Sequence, residues 1–436
     1  GTAVNAGAVT WGSGASGVTG VVSSTNSLVG STACDSVGYS SITELSNGNY
    51  VVRSYYWDNG TAVNAGAVTW GSGASGVTGV VSSTNSLVGS RASDSVGLGG
   101  VTELSNGNYV VRSYYWDNGT AVNAGAVTWG SGASGVTGVV SSTNSLVGSR
   151  ASDSVGLGGV TALSNGNYVV SSYYWDNGTV VNAGAVTWGS GVSGVTGVVS
   201  STNSLVGSKA NDSVGETGVT ALSNSNYVVR SKYWDNGTVV DAGAVTWGSG
   251  VSGVTGVVSS TNSLVGSRAT DYVGSDGVIA LSNGNYVVKS SNWDNGTVVD
   301  AGAVTWGSGA SGVTGVVSST NSLVGSTASD SVGYSGVIEL SNGNYVVRSD
   351  YWNNGTVKRA GAVTWGSGDS GVKGVVSSAN SLVGSAASDY VGSGSVTALS
   401  NGNYVVKSSN WDNGTVVNAG AVTWGSGDSG VKGVVS

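Results

Sequence analysis

The sequence predicts an all-β protein, a seven-bladed β-propeller built from 59-residue four-stranded repeats, with a β-solenoid as the alternative architecture. Three observations predict it. Gly1 recurs as Gly60, Gly119, Gly178, Gly237, Gly296, Gly355 and Gly414, at a constant spacing of 59 residues. Each unit holds four short runs of β-branched and aromatic residues bounded by Gly, Ser and Asn, the composition of strands and turns. No window carries apolar residues at helical spacing. The repeat governs the other readings, because a unit this small buries its apolar faces only against its neighbours.

Residues 1–413 hold seven repeats forming one propeller, and 414–436 start an eighth; equivalently, 1–23 are the tail of a preceding blade and 24–436 the seven repeats. The chain contains no Met and opens at Gly1 in mid-pattern, so a fragment or processed product is expected. In the first unit, strands are expected at Gly7 to Gly12 (GAVTWG), at Ser27 to Ser31 together with Val21 and Val22, at Val37 to Leu45, and at Tyr50 to Trp57. Ser46-Asn47-Gly48-Asn49 separates the last two runs, and Asn-Gly accepts positive φ at both turn positions, so these runs form a hairpin. Ser225 replaces that glycine in one copy and is expected to strain or alter the turn. A second Asn-Gly, Asn59-Gly60, turns the chain back into the next GAVTWG strand. Four strands make one blade, and radial repetition leaves only short, protected edges. A solenoid would bury the same faces by linear stacking.

Composition removes most enzyme chemistry. Charged residues are 9% of the chain against the roughly 25% usual in globular domains. The 15 Trp and 19 Tyr supply large side chains for a packed core. The chain has no His and a single Cys, Cys34, which excludes a His/Cys zinc site, a His-based triad, a Cys-His dyad and a disulfide framework. A net charge of −8 gives no support to a basic face for nucleic acid. No stretch approaches the roughly 20 apolar residues of a membrane span, so no membrane insertion is expected.

The strings Asp35 to Ser40, Leu45 to Val52, Tyr56-Trp57-Asp58-Asn59-Gly60 and Gly66 to Gly71 together resemble the FG-GAP repeat, the blade of the integrin α-subunit propeller. In that family a Phe-Gly pair stands in the place of Val37-Gly38, and a Gly-Ala-Pro in that of Tyr55 to Trp57. The chain is also similar to NGNYVV/WDNG/GAVTWG repeats of large bacterial exported surface proteins. The resemblance implies an extracellular propeller. FG-GAP blades often carry an Asp-rich calcium loop between two strands, whereas Ser46 to Asn49 and its copies have no carboxylate, so no calcium is expected there and no cofactor elsewhere.

Two aspartates recur. Asp35 has copies in every repeat, and Asp58 is replaced once, by Asn353; both sit beside turns, where a short carboxylate accepts backbone N–H groups. The Asp-to-Asn exchange suits an acceptor better than a catalyst. Trp11, Trp57 and Tyr50 with their copies are expected to pack between blades. Asn59-Gly60-Thr61 matches a glycan acceptor pattern that turn chemistry also explains. Cys34 stands where other copies carry Ser, Asn or Thr, and no thiol site is expected there.

A ligand or partner surface is expected where copies differ. Its candidates are Tyr55, Tyr56, Tyr114, Tyr115, Tyr173, Tyr174, Lys232, Tyr233, Asp350 and Tyr351. Thr32, with copies Arg91, Arg150, Lys209, Arg268, Thr327 and Ala386, varies likewise, whereas Arg53 stays basic except at Ser171. The function expected is that of a noncatalytic extracellular or cell-surface repeat protein, an adhesin or structural component of a fibre or matrix. It would act by multivalent display or head-to-tail assembly, with copies of itself or a host or matrix surface as partners. The alternative is a lectin-like propeller with one weak glycan site per blade.

Overall fold

The computed structural model describes residues 3–436; the repeat opening at Gly1-Thr2 lies outside the described residues. It contains strands and turns and, among the described residues, no helix. The chain divides into two compact units, Gly1–Glu216 with Gly250–Val257, and Thr217–Ser249 with Val258–Ser436.

Within the first unit, one sheet shows the pattern. Strands Gly100–Glu103, Tyr109–Ser113, Ala126–Gly130 and Ser145–Val147 form an antiparallel meander. Its fifth strand, Gly197–Val198, is parallel and comes from the following repeat, with Leu146 opposite Gly197. The second unit builds its sheets the same way, as when Gly315–Val316 joins Ser263–Val265. Each repeat therefore completes the sheet of the one before it.

The long strands of the inner sheets are apolar on both sides because both faces of those sheets are covered, whereas the last sheet leaves Val422 and Trp424 exposed. Tyr109 and Val111 pack with Leu45, Val51 and Leu87 of the preceding sheet, while Val110 faces Tyr168, Val170 and Trp175 of the following one. Alternation along one strand thus serves two cores. The second unit repeats this, with Tyr345 and Val347 in one core and Val346 in the next.

The hairpin and the Asn-Gly reversal form as expected, and three local readings are corrected. The stretch joining Val21 and Val22 to Ser27–Ser31 is two strands in its complete copies, Gly79–Val80 and Ser86–Val88, which belong to different sheets. A turn in which Ser82 N–H donates to Asn85 Oδ1 separates them. The expected strand from Val37 to Leu45 shrinks to Ile42–Glu44, because Ser36 and Gly38 take positive φ values of 48° and 77°. The hairpin loop is not a two-residue type I′ turn. Gly48 N–H donates to Leu45 O, Leu45 N–H donates to Asn49 O, and Gly48 alone in the loop has positive φ, the geometry of a type I turn closed by a glycine bulge. Ser225 keeps this turn by adopting φ 70°.

Candidate functional site

The repeat uses its recurring polar side chains both to fix its own turns and to hold neighbouring sheets together. The carbonyl of Gly132 accepts from Trp70 Nε1 at 2.9 Å, Asn47 Nδ2 at 2.9 Å and Asn49 Nδ2 at 2.8 Å, all from the preceding sheet and its hairpin loop. Asn49 Oδ1 in turn accepts from Gly73 N–H. The same three donors meet at Gly191 and, in the second unit, at Gly368 and Gly427. These asparagines are the residues that the calcium-loop comparison singled out; their amides are used as donors to a neighbouring backbone. Asn59 Nδ2 likewise donates to Gly89 O at 2.8 Å, so the Asn of the glycan pattern is engaged in a turn contact.

The recurrent aspartates are backbone acceptors. Asp94 is fully buried; its Oδ2 accepts from Ser90 N–H and Arg91 N–H, and its Oδ1 from Asp117 N–H. Burial pushes the Asp94, Asp153 and Asp271 carboxyls up from the usual range, and the backbone donors pull them back. Asp117 Oδ1 caps Asn123 N–H, and Asn353 fills the same role toward Arg359 N–H with its carbonyl oxygen. The exchange at 353 preserves the acceptor, as a turn requires. Basic residues at the Arg53 position also point to backbone: Arg112 donates to Gly156 O, and where Ser171 replaces the basic residue its hydroxyl donates to the equivalent Gly215 O.

The expected core aromatics are placed as expected. Tyr109 is fully buried and its ring covers Gly130, where any Cβ would overlap it. Trp57 and its copies are buried; Trp70 and its copies up to Trp365 are half-buried behind the Gly132-type contact, and Trp424 in the last repeat is exposed.

The candidate surface residues lie on the turn after each Tyr50-type strand, and the structure groups them within repeats. Tyr55 and Tyr56 meet at 4.4 Å between ring centroids, Tyr114 and Tyr115 at 4.8 Å, and Tyr173 and Tyr174 at 4.6 Å. The first member of each pair is half-buried and the second exposed. In the second unit Lys232 Nζ sits 4.5 Å from the Tyr233 ring centroid, Asp350 accepts from the Ser335 hydroxyl, and Tyr351 is exposed. Variation at this position does not always mean exposure: Ser291, a copy of Tyr55, is buried with its N–H on Asp276.

Sequence reasoning missed Tyr39, Tyr272, Tyr334, Tyr390 and Arg359, which complete these groups. Tyr39 packs edge-on against Tyr55 and Tyr56, Tyr272 against Tyr233, and Tyr334 and Tyr390 against Tyr351. The available signal was substitution at otherwise uniform positions: Tyr272 and Tyr390 stand where other copies have Ser, and Arg359 where they have Asn or Asp. Tyr334, Tyr351 and Arg359 line a cleft of about 240 Å³ with Ser329 and Ser331.

A family model for a repeat of unknown function, DUF5650, matches the chain at residues 1–39, 44–98, 103–157, 162–216, 221–275, 280–334, 339–393 and 398–436. The chain belongs to the DUF5650 repeat family. Eight copies of this repeat, of about 55 residues when complete, occupy nearly the whole chain. The DUF5650 boundary at residue 103 falls at the end of the Gly100–Glu103 strand, so each full match contains the hairpin loop, the long strands and the aspartate turn of one sheet. No curated protein matches the chain.

Proposed function

We propose that this protein is a noncatalytic extracellular repeat module, an adhesin or structural component of a surface fibre or matrix that works by multivalent display or head-to-tail assembly. One observation carries the reading: the polar groups shared by all repeats are used in turns and in contacts with the next repeat, and variation is concentrated on the exposed turns. Such a scaffold offers related weak contacts many times, and avidity then exceeds the strength of any single contact. Its partners are copies of itself or a host or matrix surface. Beads coated with the full chain should adhere to cells or extracellular matrix, or the purified chain should assemble; inert beads together with a monodisperse chain would sink the proposal.

The exposed tyrosine pairs favour a second reading, a lectin with one weak glycan site per repeat, since paired rings suit the C–H face of a sugar. Saturable glycan binding that disappears when Tyr55, Tyr56, Tyr114, Tyr115, Tyr173 and Tyr174 are all replaced by Ala would select it. Two finer architectures suit these sheets. The four-stranded meander supports an FG-GAP-like propeller blade, and stacking of successive sheets supports a solenoid. Electron microscopy separates them: discrete seven-fold rings select the propeller, and continuous fibres the solenoid.

A further inference from the structure

The cleft at Tyr351 differs chemically from the corresponding turns of the other repeats. Arg359 occupies a position at φ 55°, in the left-handed region, where every other copy has Asn or Asp, the side chains that tolerate it best. Tyr390, at φ 45°, likewise stands in that region where most copies have Ser. Both long side chains are held at a backbone cost that Asn and Ser would reduce, and they touch each other: Arg359 Nη1 donates to Tyr390 Oη at 3.0 Å. The guanidinium carbon lies 5.9 Å from the Tyr351 ring centroid. Tyr334 and Tyr351, with centroids 5.5 Å apart and planes at 62°, make two walls of an angled cleft. The carboxylate that other copies place under this turn is absent, because Asn353 replaces it.

We propose that this cleft binds an anionic sugar, a hexuronate, either as a terminal unit or within a polysaccharide. The pyranose C–H face lies on the Tyr351 or Tyr334 ring. The Ser329 and Ser331 hydroxyls meet sugar hydroxyls. The carboxylate takes the donors of Arg359 that Tyr390 leaves open, in the forked geometry that suits guanidinium and carboxylate. A shallow cleft of about 240 Å³ fits one monosaccharide. The site is specific to this repeat, so the inference stands apart from the scaffold reading, and its failure would leave that reading intact.

The test is titration of the full chain with sodium glucuronate, glucose and benzoate, followed by calorimetry and by NMR. Glucuronate should bind saturably with Kd on the order of 1 mM, and glucose and benzoate each at least about tenfold more weakly. Arg359→Asn, which restores a residue type the other copies carry, should bring glucuronate down to the level of glucose. Tyr351→Ala should weaken both sugars. The proposal is overturned if Arg359→Asn, folded by circular dichroism, binds glucuronate as well as the parent does. Equal binding of benzoate and glucuronate, or no saturable binding, overturns it as well.

Discussion

Raising the pH should unfold the protein through its buried tyrosines. Tyr109 and Tyr168 in the first unit, and Tyr286 and Tyr345 in the second, are fully buried, and burial pushes each phenol far above its usual value. The native state therefore keeps these protons after the unfolded chain, with tyrosine values near about 10, has begun to release them. Their contribution is fully present below about pH 10 and is lost as pH rises toward the folded value. At pH 11 each of these tyrosines removes about 1.4 kcal/mol, so the two named in each unit remove about 3 kcal/mol and at pH 12 about 5 kcal/mol; Tyr404, also fully buried in the second unit and raised by burial, adds to the loss there. That is comparable with the stability of an ordinary domain, about 5–15 kcal/mol. Tyrosinate absorbance and far-UV circular dichroism followed together should show the last tyrosines ionising in the same cooperative step that removes the β signal. Tyr168→Phe should cost about 1 kcal/mol at neutral pH, through the lost Val195 N–H bond, and should move the alkaline midpoint upward. If all 19 tyrosines ionise while the β signal is intact, burial is not what holds these protons.

Four further outcomes are expected. Asp153→Ala leaves the N–H groups of Ser149, Arg150 and Asp176 without their acceptor and should cost about 3–5 kcal/mol in a denaturant melt. Gly191→Ala places a Cβ against Gly166 O, where backbone and not a flexible side chain must move, and should destabilise by at least about 3 kcal/mol or prevent folding. Ser225→Gly relieves a serine at φ 70° and should raise stability by about 0.5–1 kcal/mol, read as a higher denaturation midpoint. Mild acid should not destabilise through the buried aspartates. The raised Asp94, Asp153 and Asp271 carboxyls bind protons more tightly when folded, so their contribution is present below about pH 4 and is lost as pH rises through the folded value. Acidification should therefore protonate them without lowering the melting temperature on their account.

The repeat period, the strands and the hairpin were legible because each leaves a local mark: a fixed spacing, a β-branched run, an Asn-Gly pair. The destination of Gly79–Val80 was not, because its chemistry is that of any short strand, and only a non-local parallel pairing places it in the preceding sheet. The role of Asn47 and Asn49 was hidden for the same reason. As a sequence, Ser-Asn-Gly-Asn reads as a turn; that its amides reach a carbonyl 85 and 83 residues away is a product of sheet stacking. The exposed tyrosine pairs were visible as a variable position, but the partners of Tyr351 came from turns about 17 and 39 residues further along or back, and Arg359 was passed over as one variant among eight.

The stacking also explains where this chain is free to vary. Trp70 must reach forward to the Gly132 carbonyl, while the Gly76 of its own repeat must remain bare because the Trp11 side chain of the preceding repeat lies where its Cβ would stand. A repeat is therefore donor to one neighbour and receptor to the other, and a change at either position disturbs a contact that its own sequence alone does not specify. Such interfaces restrain drift, because stability then depends on the contacts between neighbouring repeats as well as on each repeat itself. Positions that serve neither neighbour escape this restraint. Thr32 with its copies and Tyr55 with its copies change charge, size and aromaticity over a backbone that stays the same. Any recognition particular to one repeat must be written there, and the pairing of Arg359 with Tyr390, two long side chains at positions suited to Asn and Ser, is the clearest instance of a turn departing from the common pattern.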